Sequence, residues 1–118
     1  LNFISSQKPA NVGIYLNEFG DILDMTVECY NSLRVALRAF FKPEGEIDEL
    51  RARSCAVGEI ESAIDERERA LTVTIFSSDL SLAEKMHLVE MLSRITRISD
   101  QIENTADELE LLSLKSII

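Results

Sequence analysis

Apolar side chains recur at alternating steps of four and three residues along three tracts of the chain, and this spacing constrains the fold more than any other feature. Steps of this kind place the apolar side chains on one face of an α-helix and are typical of bundle helices. The tracts cover residues 9–41, 46–76 and 81–115, with short breaks between them. Because short connections join antiparallel neighbours, we predict an all-α fold of three long helices in an up-down-up bundle.

The spacing also predicts which side chains face the core of the bundle. In the first tract these are Val12, Leu16, Phe19, Leu23, Thr26, Tyr30, Leu33, Leu37 and Phe40. In the second tract they are Ile47, Leu50, Ser54, Val57, Glu61, Ile64, Glu68, Leu71 and Ile75. In the third tract they are Leu88, Leu92, Ile95, Ser99, Ile102, Ala106 and Leu109. The predicted core face of the second helix therefore contains two acidic residues.

The breaks between the tracts carry helix stop and start signals. Pro43 and Gly45, in the sequence KPEG, are expected to end the first helix and form a turn. Ser81 is followed three residues later by Glu84, which is the spacing of a capping box. We therefore expect the third helix to begin at this serine.

The charge of the chain limits its partners. Twelve basic and 21 acidic residues give a formal net charge of −9 at pH 7. Nucleic acids and anionic lipids are bound through basic surfaces, so the composition argues against both as main partners. No apolar run approaches the roughly 18 to 20 residues that a membrane-spanning helix requires. Cations and basic protein surfaces are the expected partners.

The length of 118 residues predicts one domain, residues 1–118, with a single core. Cys29 and Cys55 lie inside helical tracts and match no C-x-x-C spacing, so both are expected to be buried, reduced thiols. That expectation favours a cytoplasmic location. The opening sequence LNFISSQKPANV reads as the end of a preceding segment, so we expect the chain to be a fragment of a longer protein.

Catalytic motifs are missing from the sequence. His87 is the only histidine, which excludes a zinc centre with two or three histidines and the Glu-x-x-His pairs of di-iron carboxylate enzymes. Neither a G-x-S-x-G nucleophile motif nor a glycine-rich phosphate loop occurs. We therefore predict that the protein is not an enzyme.

Two rows of acidic residues are the candidate functional feature. Glu61 lies on the predicted core face, and Asp65 follows it one turn later. The third helix carries a matching row of Asp100, Asn104 and Asp107, spaced by four and three residues, with Glu103 nearby. Burying a carboxylate costs several kcal/mol unless it is paired, hydrogen-bonded or bound to a cation. The rows therefore predict either a shared metal ion or acidic surfaces that are solvated or paired to Arg67, Arg69, Arg94 or Arg97.

Two segments resemble a known family. VGEIESAIDERERAL, residues 57–71, and LSRITRISDQIENTADEL, residues 92–109, resemble PhoU-like proteins, specifically the branch of Pit accessory proteins or putative phosphate transport regulators. The resemblance implies one three-helix unit, similar to the C-terminal half of a two-unit chain. It also implies a non-enzymatic regulator of inorganic phosphate transport, whose partners are a phosphate transporter or its regulatory proteins.

The same resemblance implies a metal site for iron, zinc or another divalent cation. The family's E/D-x-x-x-D motifs fall on Glu61, Asp65, Asp100 and Asp107, and Asn104 matches the asparagine of the family. The sequence departs from the pattern at two positions. Thr96 stands where the second motif has an acidic residue, and Ala63 replaces an acidic residue two positions before Asp65. The site is then either empty, completed by another unit, or a hydrogen-bonded polar seam.

The C-terminal sequence LELLSLKSII is apolar on more than one side of a helix. A single three-helix unit does not cover such a segment, so we expect a homo-oligomer or a second unit packed against it. The alternative to the phosphate-related function is a metal-free structural helical module that self-associates or docks a partner protein.

Overall fold

The computed structural model describes residues 9–42 and 46–117, with side chains for residues 13–42 and 46–115. Helix α1 covers Pro9–Phe41, α2 covers Ile47–Phe76 and α3 covers Leu82–Ile117. The molecule measures 57 × 19 × 18 Å, as expected for long helices lying side by side. The predicted all-α three-helix bundle is confirmed, and each helix end lies within two residues of its predicted position.

Three apolar clusters follow one another along the bundle and establish the direction of the helices. The first cluster joins Ile22, Ile64 and Leu92, the second joins Cys29, Val57 and Ile102, and the third joins Ala36, Leu50 and Leu109. Residue numbers rise along α1 and α3 while they fall along α2. The chain therefore runs up, down and up.

The predicted core faces of α2 and α3 are confirmed. In α2 the buried residues are Leu50, Ser54, Val57, Glu61, Ile64, Leu71 and Ile75. In α3 the predicted positions Leu88, Leu92, Ser99, Ile102, Ala106 and Leu109 are buried. Thr96 and Ser113 are also buried, although they were not predicted to be. Ile47, Glu68 and Ile95 are half-buried at the edges of these faces.

The predicted core face of α1 is partly wrong. Three of its positions are exposed: Leu16, Leu23 and Tyr30. Six buried positions were missed: Tyr15, Ile22, Cys29, Ser32, Ala36 and Ala39. The apolar arc of α1 is wide enough for two overlapping faces, and packing against both α2 and α3 selects one of them. The side chain of Val12 lies outside the described residues.

The start of α3 is the predicted capping box. The backbone N–H of Ser81 donates to Glu84 Oε1 at 2.9 Å, and the backbone N–H of Glu84 donates to Ser81 Oγ at 3.2 Å. These bonds satisfy two backbone donors that a helix start leaves without partners. The predicted turn at Pro43 and Gly45 lies outside the described residues.

Several surface features bear on the sequence-based expectations. None of the described helices contains a stretch long and apolar enough to cross a membrane. Both cysteines are free thiols, but only Cys29 is buried, so the prediction that Cys55 is buried is wrong. Near the C-terminus, Leu111, Leu112 and Leu114 are each more than two-fifths exposed, as the two-sided apolar pattern of this segment predicts.

Candidate metal site

Helix α2 places Glu61 inside the bundle because the residue occupies a core position between two apolar ones. Val57 lies one turn before it and Ile64 lies three residues after it, and both are fully buried. Glu61 itself is 6% exposed. A carboxyl group is therefore held in the layer where α2 packs against its neighbours, which is the environment that most disfavours a negative charge.

Glu61, Asp65 and Asp100 form a compact group of acids. One carboxylate oxygen from each residue lies within 4.8 Å of the other two. Asp65 follows Glu61 by one turn on α2 and is half-buried, whereas Asp100 reaches the group from α3 and is exposed. Oxygen ligands lie about 2.0 to 2.6 Å from Mg²⁺ or Ca²⁺, so opposite ligands of one ion are roughly 4 to 5 Å apart. The spacing thus fits three oxygens around one ion.

The electrostatics of the group raise the pKa of Glu61 to about 8 from an ordinary value of 4.5. Burial is the largest cause, followed by hydrogen bonds with Asp65 and Asp100 and then by the negative charges of Asp65 and Glu103. A hydrogen bond between two carboxyl groups requires a proton on one of them. Without a cation, Glu61 therefore keeps a proton at neutral pH.

Glu103 and Asp107 extend the group along α3. Burial and the charge of Asp107 are the main causes that raise the pKa of Glu103, while a hydrogen bond with Glu61 acts in the opposite direction. A Cβ added to Gly58 would lie 3.9 Å from Glu103 Oε2, which is an ordinary van der Waals contact, so Gly58 of α2 lies beside this carboxylate. We call Glu61, Asp65, Asp100, Glu103 and Asp107 the acidic cluster.

The described part of the chain contains no ion pair between the acidic cluster and a basic side chain. Arg67 contacts Glu18 and Asp21 of α1 at 3.9 and 3.5 Å. Arg69 and Arg94 each pair with a glutamate of their own helix. Three of the arginines that the metal-free alternative assigned to the acidic rows therefore pair elsewhere. A proton or a cation is left to balance the charge around Glu61.

The predicted ligands differ in their distance from this centre. Asp100 and Asp107 are seven residues apart on α3, which corresponds to about 10 Å along the helix axis. Two aspartates this far apart do not bind the same ion directly, so Asp107 lies beyond the group around Glu61. Asn104 is exposed and lines a shallow surface concavity with Gln101, Thr105 and Glu108. The ligand roles predicted for Asp107 and Asn104 stay predictions.

The two departures from the family pattern have different structural settings. Thr96 is buried one turn before Asp100, and its hydroxyl donates to the Ser93 carbonyl at 3.2 Å. The hydroxyl is thus engaged within its own helix. Ala63 is exposed and lines a surface concavity with Glu66 and Arg67, so it lies on the outer side of α2. An acidic residue at position 63 would add nothing to the site around Glu61.

Cys29 lies next to the acidic cluster, which the sequence alone did not indicate. Burial, followed by the negative charges of Glu61 and Glu103, raises its pKa to about 11. Its thiol donates a weak hydrogen bond to the Val57 carbonyl, with a sulfur-to-oxygen distance of 3.7 Å. The three residues whose ligand atoms come together are Glu61, Asp65 and Asp100, and Cys29 is not among them. The candidate ligand set is therefore made of oxygen atoms.

No protein-family model, curated protein or solved structure matches the chain. The resemblance to PhoU-like proteins therefore rests on the sequences of residues 57–71 and 92–109, and it stays a prediction.

Proposed function

We propose that this chain is a non-enzymatic regulatory or accessory protein of inorganic phosphate transport that binds a metal cation through Glu61, Asp65 and Asp100. One observation carries the metal-binding part. A carboxyl group that is 6% exposed lies within 4.8 Å of two further acids, and no basic side chain of the described residues pairs with it. A bound cation offsets the cost of burying this charge, which otherwise has to be avoided by protonation.

The chemistry of the ligands favours a hard cation. Carboxylate oxygens suit Mg²⁺, Ca²⁺, Mn²⁺ and ferric iron, whereas zinc sites usually contain histidine or cysteine. The family resemblance implies iron or zinc, and of these two iron suits an all-oxygen site better. Solvent reaches the site from the side of Asp100, which is exposed and leaves room for water ligands. The geometry thus favours an open site that binds and releases its ion.

The phosphate-related part of the proposal is supported by the sequence resemblance and by charge. A net charge of −9 suits a basic protein partner, and the proposed setting is the cytoplasmic surface of a phosphate transporter. The acidic cluster repels phosphate itself. A bound cation of charge +2 or +3 reduces this repulsion, because it offsets part of the negative charge of the surrounding carboxylates.

Metal binding is tested by titrating the purified protein, stripped with EDTA, with Mn²⁺, Fe²⁺, Ca²⁺ and Zn²⁺ while measuring bound metal and the melting temperature. We expect a bound ion and a higher melting temperature for the wild type, with Mn²⁺ or iron preferred over zinc. The paired variant is Asp65→Asn, and the matched control is Glu66→Gln, whose side chain is exposed next to it on α2. Equal responses of Asp65→Asn and the wild type refute the proposed site.

The phosphate-related part needs a separate measurement. Deleting the gene in its source cells is expected to change uptake of radiolabelled phosphate, and an Asp65→Asn copy is expected to fail to restore it while Glu66→Gln restores it. Uptake that is unaffected by the deletion refutes the phosphate-related part and leaves metal binding to be judged on its own.

A metal-free structural module is the second candidate, and one observation favours it. Large apolar residues are exposed along α1, which is typical of a surface that another helix covers. If the protein binds no ion in the titration but associates through α1, its function is that of a metal-free structural module.

A further inference from the structure

A row of exposed apolar side chains runs along α1. Leu16 is 50% exposed, Leu23 42%, Val27 58% and Tyr30 52%. We call these four residues the α1 stripe. Gly20 occupies the position that completes their spacing of four and three residues, and a Cβ at Gly20 would meet no atom within 4 Å. This is the repeat with which one helix packs against another, and a glycine within it permits close approach.

The α1 stripe is turned away from α2. On the side of α1 that faces α2, Asp21 contacts Arg67 at 3.5 Å. Successive residues of a helix are rotated by about 100°, so Leu23 and Val27 point roughly opposite to Asp21. Within the described residues α2 therefore does not cover the stripe, and its side chains stay at least two-fifths exposed. This surface is available to a helix from outside the bundle.

The charges of α1 are separated along its length. Its N-terminal half contains the four acids Glu18, Asp21, Asp24 and Glu28, with no basic residue from position 9 to 28. Its C-terminal half contains Arg34 and Arg38 and is followed by Lys42, with no acidic residue from position 29 to 42. Glu18 and Asp21 contact Arg67 of α2, so Asp24 and Glu28 are the acids available to a second helix. A second helix of the same sequence is complementary to α1 when it runs antiparallel. In the parallel orientation, acids would face acids and bases would face bases.

We propose that the α1 stripe is a homodimer contact, in which α1 of a second copy of this chain packs antiparallel across it. A twofold axis passing between Val27 and Tyr30 brings Arg34 of each copy within about one turn of Asp24 of the other copy. The same arrangement brings Phe41, which is 75% exposed, to the height of Leu16 of the other copy. The contact does not involve the acidic cluster, so it is independent of metal binding.

The test measures the oligomeric state by sedimentation equilibrium, in EDTA and at about 0.15 M salt, where long-range charge repulsion is screened. We expect a monomer–dimer equilibrium for the wild type and a dissociation constant at least tenfold higher for Val27→Ser. The matched control is Val73→Ser, which alters a valine of α2 that is 66% exposed. Circular dichroism checks that each variant keeps its helical content, which is expected because both side chains are exposed.

A charge exchange tests the antiparallel orientation. Asp24→Arg and Arg34→Asp are each expected to weaken the dimer, because each places like charges opposite one another. The double variant is expected to return the dissociation constant to within a few-fold of the wild-type value. A wild type that stays monomeric overturns the proposal. So does a dimer that Val27→Ser leaves unchanged, or a double variant that is no tighter than the single ones.

Discussion

Replacing Glu61 by glutamine tests the acidic cluster most directly. Glutamine has nearly the same size and shape, and its amide N–H groups donate hydrogen bonds toward Asp65 and Asp100, where a protonated glutamate donates its single O–H to one of them. It lacks the negative charge that a cation would bind. The substitution therefore mimics the protonated state at every pH, and it should stabilise the cation-free protein at high pH while weakening metal binding.

The sign of the pH effect follows from the pKa of Glu61, which is about 8 in the folded protein against an ordinary value of 4.5. Between these two pH values the folded protein keeps a proton that the unfolded chain has released. The free energy of unfolding consequently falls as the pH rises through this window. Below pH 4.5 both states are protonated, and the contribution of this group is fully present.

The size of the effect follows from the same two values. A difference of about 3.5 in pKa, at about 1.4 kcal/mol for each pKa unit, corresponds to roughly 4 to 5 kcal/mol as an upper limit. Water that enters beside the exposed Asp100 reduces this cost, so we expect Glu61→Gln to be about 2 to 4 kcal/mol more stable than the wild type at pH 9. At pH 4.5 the two proteins are expected to differ by less than about 1 kcal/mol.

The assay is urea denaturation followed by circular dichroism, in EDTA at pH 4.5, 7 and 9. Glu66→Gln is the control, because its side chain is 80% exposed and its pair with Arg69 is a surface contact. Added Mn²⁺ is expected to stabilise the wild type and Glu66→Gln more than Glu61→Gln. If the free energies of unfolding of all three proteins change in parallel with pH, Glu61 does not carry the buried charge and the reasoning is refuted.

Three further predictions concern the core and the thiols. Ile22→Ala, at a fully buried position, is expected to lower the free energy of unfolding by about 2 to 5 kcal/mol. Leu23→Ala, at an exposed position, is expected to lower it by less than about 1 kcal/mol. Equal losses in urea denaturation would contradict the observed face of α1. Ser54 has a buried hydroxyl with no hydrogen-bond partner among the described residues, so Ser54→Ala is expected to be neutral or stabilising by up to about 1 kcal/mol in the same assay. Cys55 is expected to react rapidly with a thiol reagent at pH 8, because it is exposed. Cys29, which is buried and has a pKa of about 11, is expected to react only on unfolding. Equal reaction rates of the two thiols in the native protein would count against the burial of Cys29.

The faces of α2 and α3 could be predicted from the sequence because each helix has one narrow apolar row bordered by charged residues. Glu61 belonged to that row, and its burial followed from its position between Val57 and Ile64. Helix α1 lacked this clarity. Leu23 and Ile22 are adjacent apolar residues, and spacing alone does not decide which one faces the core.

The composition of the acidic cluster depends on a quantity that periodicity does not contain, namely the axial alignment of α3 against α2. Moving α3 by seven residues, about 10 Å, would bring Asp107 rather than Asp100 to Glu61. The alignment is set by the short connection after Phe76 and by the burial of Leu92 and Ile64 in the same apolar cluster. A metal site between two helices is therefore predictable from sequence as a set of candidate rows, and only tertiary packing selects the residues that meet.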